Sequence, residues 1–172
     1  MPAGNTYEAI ATATSTGSTS TFSFTSIPST YTDLVLVTFV RSSFSGVTFH
    51  ESIVRVNGSA TTIYSRTKLE GTGSSASSTR NTSLTGFYAG EVQSAPSTAG
   101  VFSTQIIQIN NYSNATTFKT FLSRNNTPTG MVNGIVGLWR NTSAINQVDV
   151  LNADGSNWVS GSTATLYGIK AA

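Results

Sequence analysis

The only histidine, His50, stands beside Glu51. Those residue types can make a general base oriented by a carboxylate. Neighbouring side chains in a strand point to opposite faces, so these two are poorly placed to bond each other. A surface or interface histidine is the expectation. The chain has no cysteine, which excludes disulfides, thiolate metal sites and a cysteine nucleophile. A metal site would then need carboxylates, and Glu8, Asp33, Glu51, Glu70, Glu91, Asp149 and Asp154 are scattered. None forms the close pair of a glycosidase unless the fold assembles one. Asp154-Gly155 looks like the start of a calcium loop without its other ligands, so a turn is expected. Gly71-Thr72-Gly73 lacks the helix and lysine of a phosphate cradle, and no Gly-X-Ser-X-Gly elbow occurs. No catalytic, cofactor-binding or metal-binding residue is assigned, and no enzyme activity is expected.

Binding is the remaining chemistry. Trp139, Trp158, Tyr64, Tyr88, Tyr112 and Tyr167 could form a sugar-stacking platform, the usual device of a β-sandwich lectin. Their competing place is the core or a subunit interface. Arg66, Arg124 and Arg140 lie near expected strand ends and could pair with the sparse acids of a neighbouring subunit. Exposed pairs of that kind contribute only about 0–1 kcal/mol. The candidate partner contacts are Tyr7, Tyr64, Arg66, Tyr88, Arg140 and Trp158.

Strands must position these residues. Charged side chains make up 9% of the 172 residues, and Ser and Thr fill the gap. That is far below the roughly 25% usual in globular proteins. Abundant Thr, Val, Ile and aromatics give a β-rich composition. Hydrophobic content of 38%, falling in alternating blocks, argues against disorder. Nine Lys and Arg stand against seven Asp and Glu with no basic run, so the footprint of a nucleic-acid binder is missing. The longest apolar run, 34–40, is too short to span a bilayer, and no signal peptide is visible, so no membrane partner is expected.

Helical periodicity is absent, and alternation marks about ten or eleven strands with turn signals every 8–12 residues. Residues 1–16 read as an N-terminal arm or edge strand, and 17–172 as one β-sandwich domain. Asp33–Arg41 is the most hydrophobic strand and is expected to be buried on both faces. Asn57-Gly58 is the strongest turn signal. In 63–70, Ile63 and Leu69 are expected to face in, with Tyr64, Arg66, Lys68 and Glu70 on the other face. Gly71–Thr82 reads as a low-complexity loop, and Gly90–Gly100 as a second long loop, functional or mobile. Gly134–Ile145 reads as a central strand covered on both sides, followed by a tight turn at Arg140–Ser143. Residues 145–151 would return as its hairpin partner.

Several stretches, in order along nearly the whole chain, resemble one family. They are Tyr7–Thr12, Ile27–Leu36, Asn57-Gly58, Tyr64–Thr67, Asn110–Asn114, Gly137–Asn146 and Gly161–Ile169. The family is that of small β-sandwich virion proteins and virion-protein domains of tailed bacteriophages, especially cyanophages and other aquatic phages. The matching pieces are turns and aromatic plugs on strands, with no catalytic residue to carry over. The resemblance implies a jelly-roll-like antiparallel sandwich and a structural role without a cofactor. It implies a decoration, or cement, protein on the outer capsid surface. Its partners would be the major capsid protein and itself, as a homotrimer that bridges capsid subunits. The alternative it implies is a tail-fibre or adsorption protein that binds host-surface glycan. The start at Met1 and the end just past the last strand favour a free-standing protein over a fibre tip.

Overall fold

A computed structural model describes residues 6–170. It is all-β, with two antiparallel sheets and no helix among the described residues. The strands are β1 (Tyr7–Thr14), β2 (Thr21–Phe24), β3 (Asp33–Val40), β4 (Phe49–Val56), β5 (Tyr64–Gly71) and β6 (Ala76–Leu84). They continue as β7 (Phe87–Gln93), β8 (Ser103–Asn110), β9 (Lys119–Thr127), β10 (Met131–Trp139), β11 (Val148–Asn152) and β12 (Thr163–Ile169). The large sheet runs β1-β12-β3-β8-β9-β10-β5-β6, and the small one β2-β11-β4-β7. Only β5–β6, β8–β9 and β9–β10 follow each other within a sheet; every other connection crosses the sandwich.

The core lies between the sheets. Leu34, Leu36 and Val40 of β3, Ile107 and Ile109 of β8 and Phe121 of β9 meet Phe22, Val54, Phe87, Val148 and Val150 from the small sheet. Each set sits at alternate positions, as strand period requires. Phe87 and Phe121 stack across the gap with centroids 4.9 Å apart.

β1 is an edge strand, paired along its length with β12. Residues 1–5 of the expected arm lie outside the described residues. Four expectations change. β10 is central in its sheet but is covered on one face only: Ile135 and Trp139 are buried, while Val136 on the opposite face is 54% exposed. Its hairpin partner is β9, and the return strand β11 belongs to the other sheet. Arg140–Gln147 is a crossover rather than a tight turn. Its amides are taken up by Ile63 O, Tyr112 O and the side-chain oxygen of Asn57. Residues 76–82 belong to strand β6, hydrogen-bonded to β5, and not to a loop.

The two faces of β10 make opposite demands on its glycines. A Cβ on Gly137 would sit 2.3 Å from the Phe87 ring, which is wholly buried. One on Gly134 would meet nothing within 4 Å. Gly137→Ala should therefore destabilise by about 1–3 kcal/mol through overpacking. Gly134→Ala should stabilise by about 0.5–1 kcal/mol, because it restricts the unfolded chain. Urea unfolding of the two variants checks both signs.

Candidate docking surface

His50 and Glu51 do diverge. His50 Nε2 lies 3.0 Å from Asp154 Oδ1 and the imidazole packs on Phe44, while Glu51 turns to Arg66 at 2.5 Å. Asp154 also accepts from the amide and hydroxyl of Ser156, which closes a turn. Burial pushes its carboxyl pKa up, but the Ser156 bonds and nearby His50 pull it below the ordinary value. Among the described residues, no three His, Asp or Glu side chains could hold a metal ion together.

The fold does assemble acids that are distant in sequence. Glu51 of β4 and Glu91 of β7 stand directly opposite each other. Like charges so placed repel. Two cations of β5 offset this: Arg66 reaches Glu51, and Lys68 reaches Glu91 at 2.5 Å and Glu70 at 2.7 Å. Asn133 of β10 donates to the other Glu91 oxygen at 2.7 Å. Arg66 further donates to Asn81 Oδ1 and lies over the Tyr88 ring. The network fastens β5, near one edge of the large sheet, to β7, the edge strand of the small one. It acts as a clamp: each of the opposed carboxylates already holds a cation.

This reverses the expected facing of β5. Tyr64 and Arg66 are buried and Lys68 is mostly covered, whereas Leu69 is 62% exposed. Burial lowers the Lys68 pKa, but its bonds to Glu70 and Glu91 raise it further, so it lies above the ordinary lysine value. Lys68→Met should cost about 2–3 kcal/mol at neutral pH. That lies below the 3–5 of a fully buried pair because solvent screens this one in part. The folded-state pKa is raised, so the contribution is complete below the unfolded value and is lost as pH rises through the folded one. The gap between wild type and variant should hold at neutral pH and shrink above pH ~10.5, as followed by thermal melts across pH.

The six candidate contacts do not converge. Tyr64 and Trp158 are wholly buried, and Arg66 nearly so. Tyr64 OH donates to Ser59 O, and the Trp158 indole stacks on Phe22 and donates to Val150 O. These three offer no surface to a partner. Tyr88 is half-buried under Arg66, Arg140 is half-buried with a bond to Thr62 O, and Tyr7 is exposed against Tyr167 at the β1 edge. Trp139 and Tyr112 are buried as well, so the six aromatics form no sugar-stacking platform.

The surface that sequence reasoning missed is the outer face of the large sheet. Pairing aligns its side chains in rows. One row runs Arg80, Thr67, Val136, Leu122 and Gln108, and the next Leu69, Gly134, Arg124, Ile106 and Val37. Leu69, Val132, Val136, Leu122 and Phe39 are all exposed there. Phe39 stacks on Phe102 at 4.9 Å. Two shallow depressions score the face. One of about 460 Å³ touches Thr67, Arg80, Leu122, Val136 and Leu138; another of about 210 Å³ touches Ile106, Arg124 and Val132.

No protein-family model matches this chain, and no curated protein is significantly similar to it. The surface itself must supply the argument. Scattered apolar side chains are ordinary, but a contiguous exposed patch on a sheet marks an interaction site. The signal was present as alternation in β9 and β10, with Leu122, Val132 and Val136 out of step with buried Phe121 and Ile135.

Proposed function

We propose that this protein is a non-enzymatic virion component of a tailed bacteriophage. Its role is that of a decoration protein on the outer capsid surface, where a homotrimer bridges neighbouring capsid subunits. The observation that carries the reading is the open outer face of the eight-stranded sheet, where Leu69, Val132, Val136, Leu122 and Phe39 stand exposed among threonines and two arginines. Such a face suits adhesion to a protein lattice more than capture of a small molecule in an enclosed pocket. The sequence resemblance supplies the phage context. Several weak contacts made at once would hold the trimer tightly. Low charge limits the self-repulsion of densely arrayed copies.

Cryo-electron microscopy of purified particles tests this. Density for the sandwich on the capsid lattice is expected. Density at the tail alone would overturn the capsid assignment, and absence of the protein from particles would overturn the virion role.

A further inference from the structure

We infer that the outer face of the eight-stranded sheet docks a protein surface bearing carboxylates opposite Arg80 and Arg124, and not a second copy of this chain. The inference rests on the virion reading, which supplies the protein surface that the test uses. Among the nine Lys and Arg side chains, Lys68, Lys170 and Arg66 hold carboxylates, and Arg41, Arg55, Arg140 and Lys119 hold backbone carbonyls. Arg80 and Arg124 alone have no such partner among the described residues, and both stand on this face. Asp33, on the same face at the start of β3, lies in neither arginine's row and accepts the Asn111 amide at 2.6 Å. A chain this poor in charge thus leaves two guanidinium groups beside exposed apolar side chains, with no carboxylate in either of their rows.

Size and sign then select the partner. Eight strands about 4.8 Å apart and about eight residues long at about 3.4 Å each span about 1,000 Å². That exceeds the roughly 800 Å² per partner of a standard stable interface. Among the described residues a second copy offers only Asp33 as a carboxylate on this face against the two arginines, which makes it the poorer match. Two cations over so wide an area are too few to grip a nucleic-acid backbone. An apolar protein surface with carboxylates placed for bidentate pairing satisfies both features.

The test uses capsid shells from a phage lacking the gene, to which purified protein is added back. The Arg80→Glu/Arg124→Glu double variant and Val136→Asp should each bind about tenfold more weakly or worse. Their melting temperatures should be unchanged, since the sites are exposed. Ser23→Lys, on the small sheet opposite Asp149, should bind as wild type does. Equal binding by all variants overturns this inference and leaves the capsid reading standing. Shells that take up no wild-type protein overturn both. A wild-type dimer in light scattering that Val136→Asp dissociates would make a second copy the occupant and overturn the inference. So would flotation of wild type with phosphatidylserine vesicles that the double variant loses.

Discussion

Trp139→Ala should lower the unfolding free energy by about 3–5 kcal/mol. The indole is 1% exposed and ends β10 between Tyr64 of β5 and Lys119 of β9. It stacks on Tyr64 with centroids 6.3 Å apart. Tyr64 in turn accepts the Val56 amide and donates to Ser59 O, so it carries the end of β4. Removing the indole would open a cavity under a ring that is already anchored and is slow to collapse into it. Trp139→Phe should behave differently. It loses volume, but it also removes Trp139 Nε1, a buried donor without a partner. An unpaired buried donor costs about 1–3 kcal/mol. The two terms oppose each other, and the Phe variant should lie within about 1.5 kcal/mol of wild type. Urea unfolding compares the pair. A near-neutral Ala variant would place the ring outside the core and return it to the list of binding residues.

Alternation marked β3 and β10 as strands, but with apolar residues on both faces it did not tell which face meets the small sheet: Leu36 and Ile135 are buried, while Phe39 and Val136 are exposed. It failed on β5. Its inner face meets the edge of the small sheet, where Glu51 and Glu91 wait, so Arg66 and Lys68 turn inward and Leu69 outward. A one-residue change of facing reverses a whole strand, and nothing local to 64–71 announces carboxylates from β4 and β7. Strand β6 was hidden for another reason. Ser77, Ser78 and Thr79 have no apolar face to alternate, and their extended form comes from pairing with β5. The crossover at 140–147 resembled a tight turn because polar residues serve both. Asn57-Gly58 does form the tight turn its sequence announces, with φ +52° and +64° and the Ser59 amide donating to Val56 O. What no motif shows is that the Asn57 side chain also bonds the backbone of Ala144, Asn146 and Gln147. The docking face was missed because burial on both sides was assumed for apolar strands, whereas this sheet leaves one side open.

The long loop expected over Gly90–Gly100 begins later, because residues 90–93 complete β7 and pair with β4. The loop that remains, 94–102, depends on one side chain that no motif marks. Arg41, just past β3, is 6% exposed. Its guanidinium donates to the carbonyls of Thr98 and Val101 at 2.7 and 2.8 Å, and to those of Ser97 and Ala95 at 2.8 and 3.3 Å. Those carbonyls turn inward because the cation is there. Arg41→Ala should cost about 3–5 kcal/mol, since hydrogen bonds to a charged group contribute about 1.5–3 kcal/mol each and do not add fully. Arg41→Lys should recover less than half, because an ammonium on a flexible stem cannot reproduce the planar fork that spans four acceptors. A structural role anywhere in the core would lower stability alike, so the distinguishing readout is local. Hydrogen exchange should accelerate first at the Ser97 and Val101 amides, whose acceptors Ser94 O and Thr98 O lie within the loop. The next effect should reach Phe102, which leaves the loop to stack on Phe39 at one end of the docking face. Intact protection of the loop in Arg41→Ala would show that packing, not the guanidinium, holds it in place.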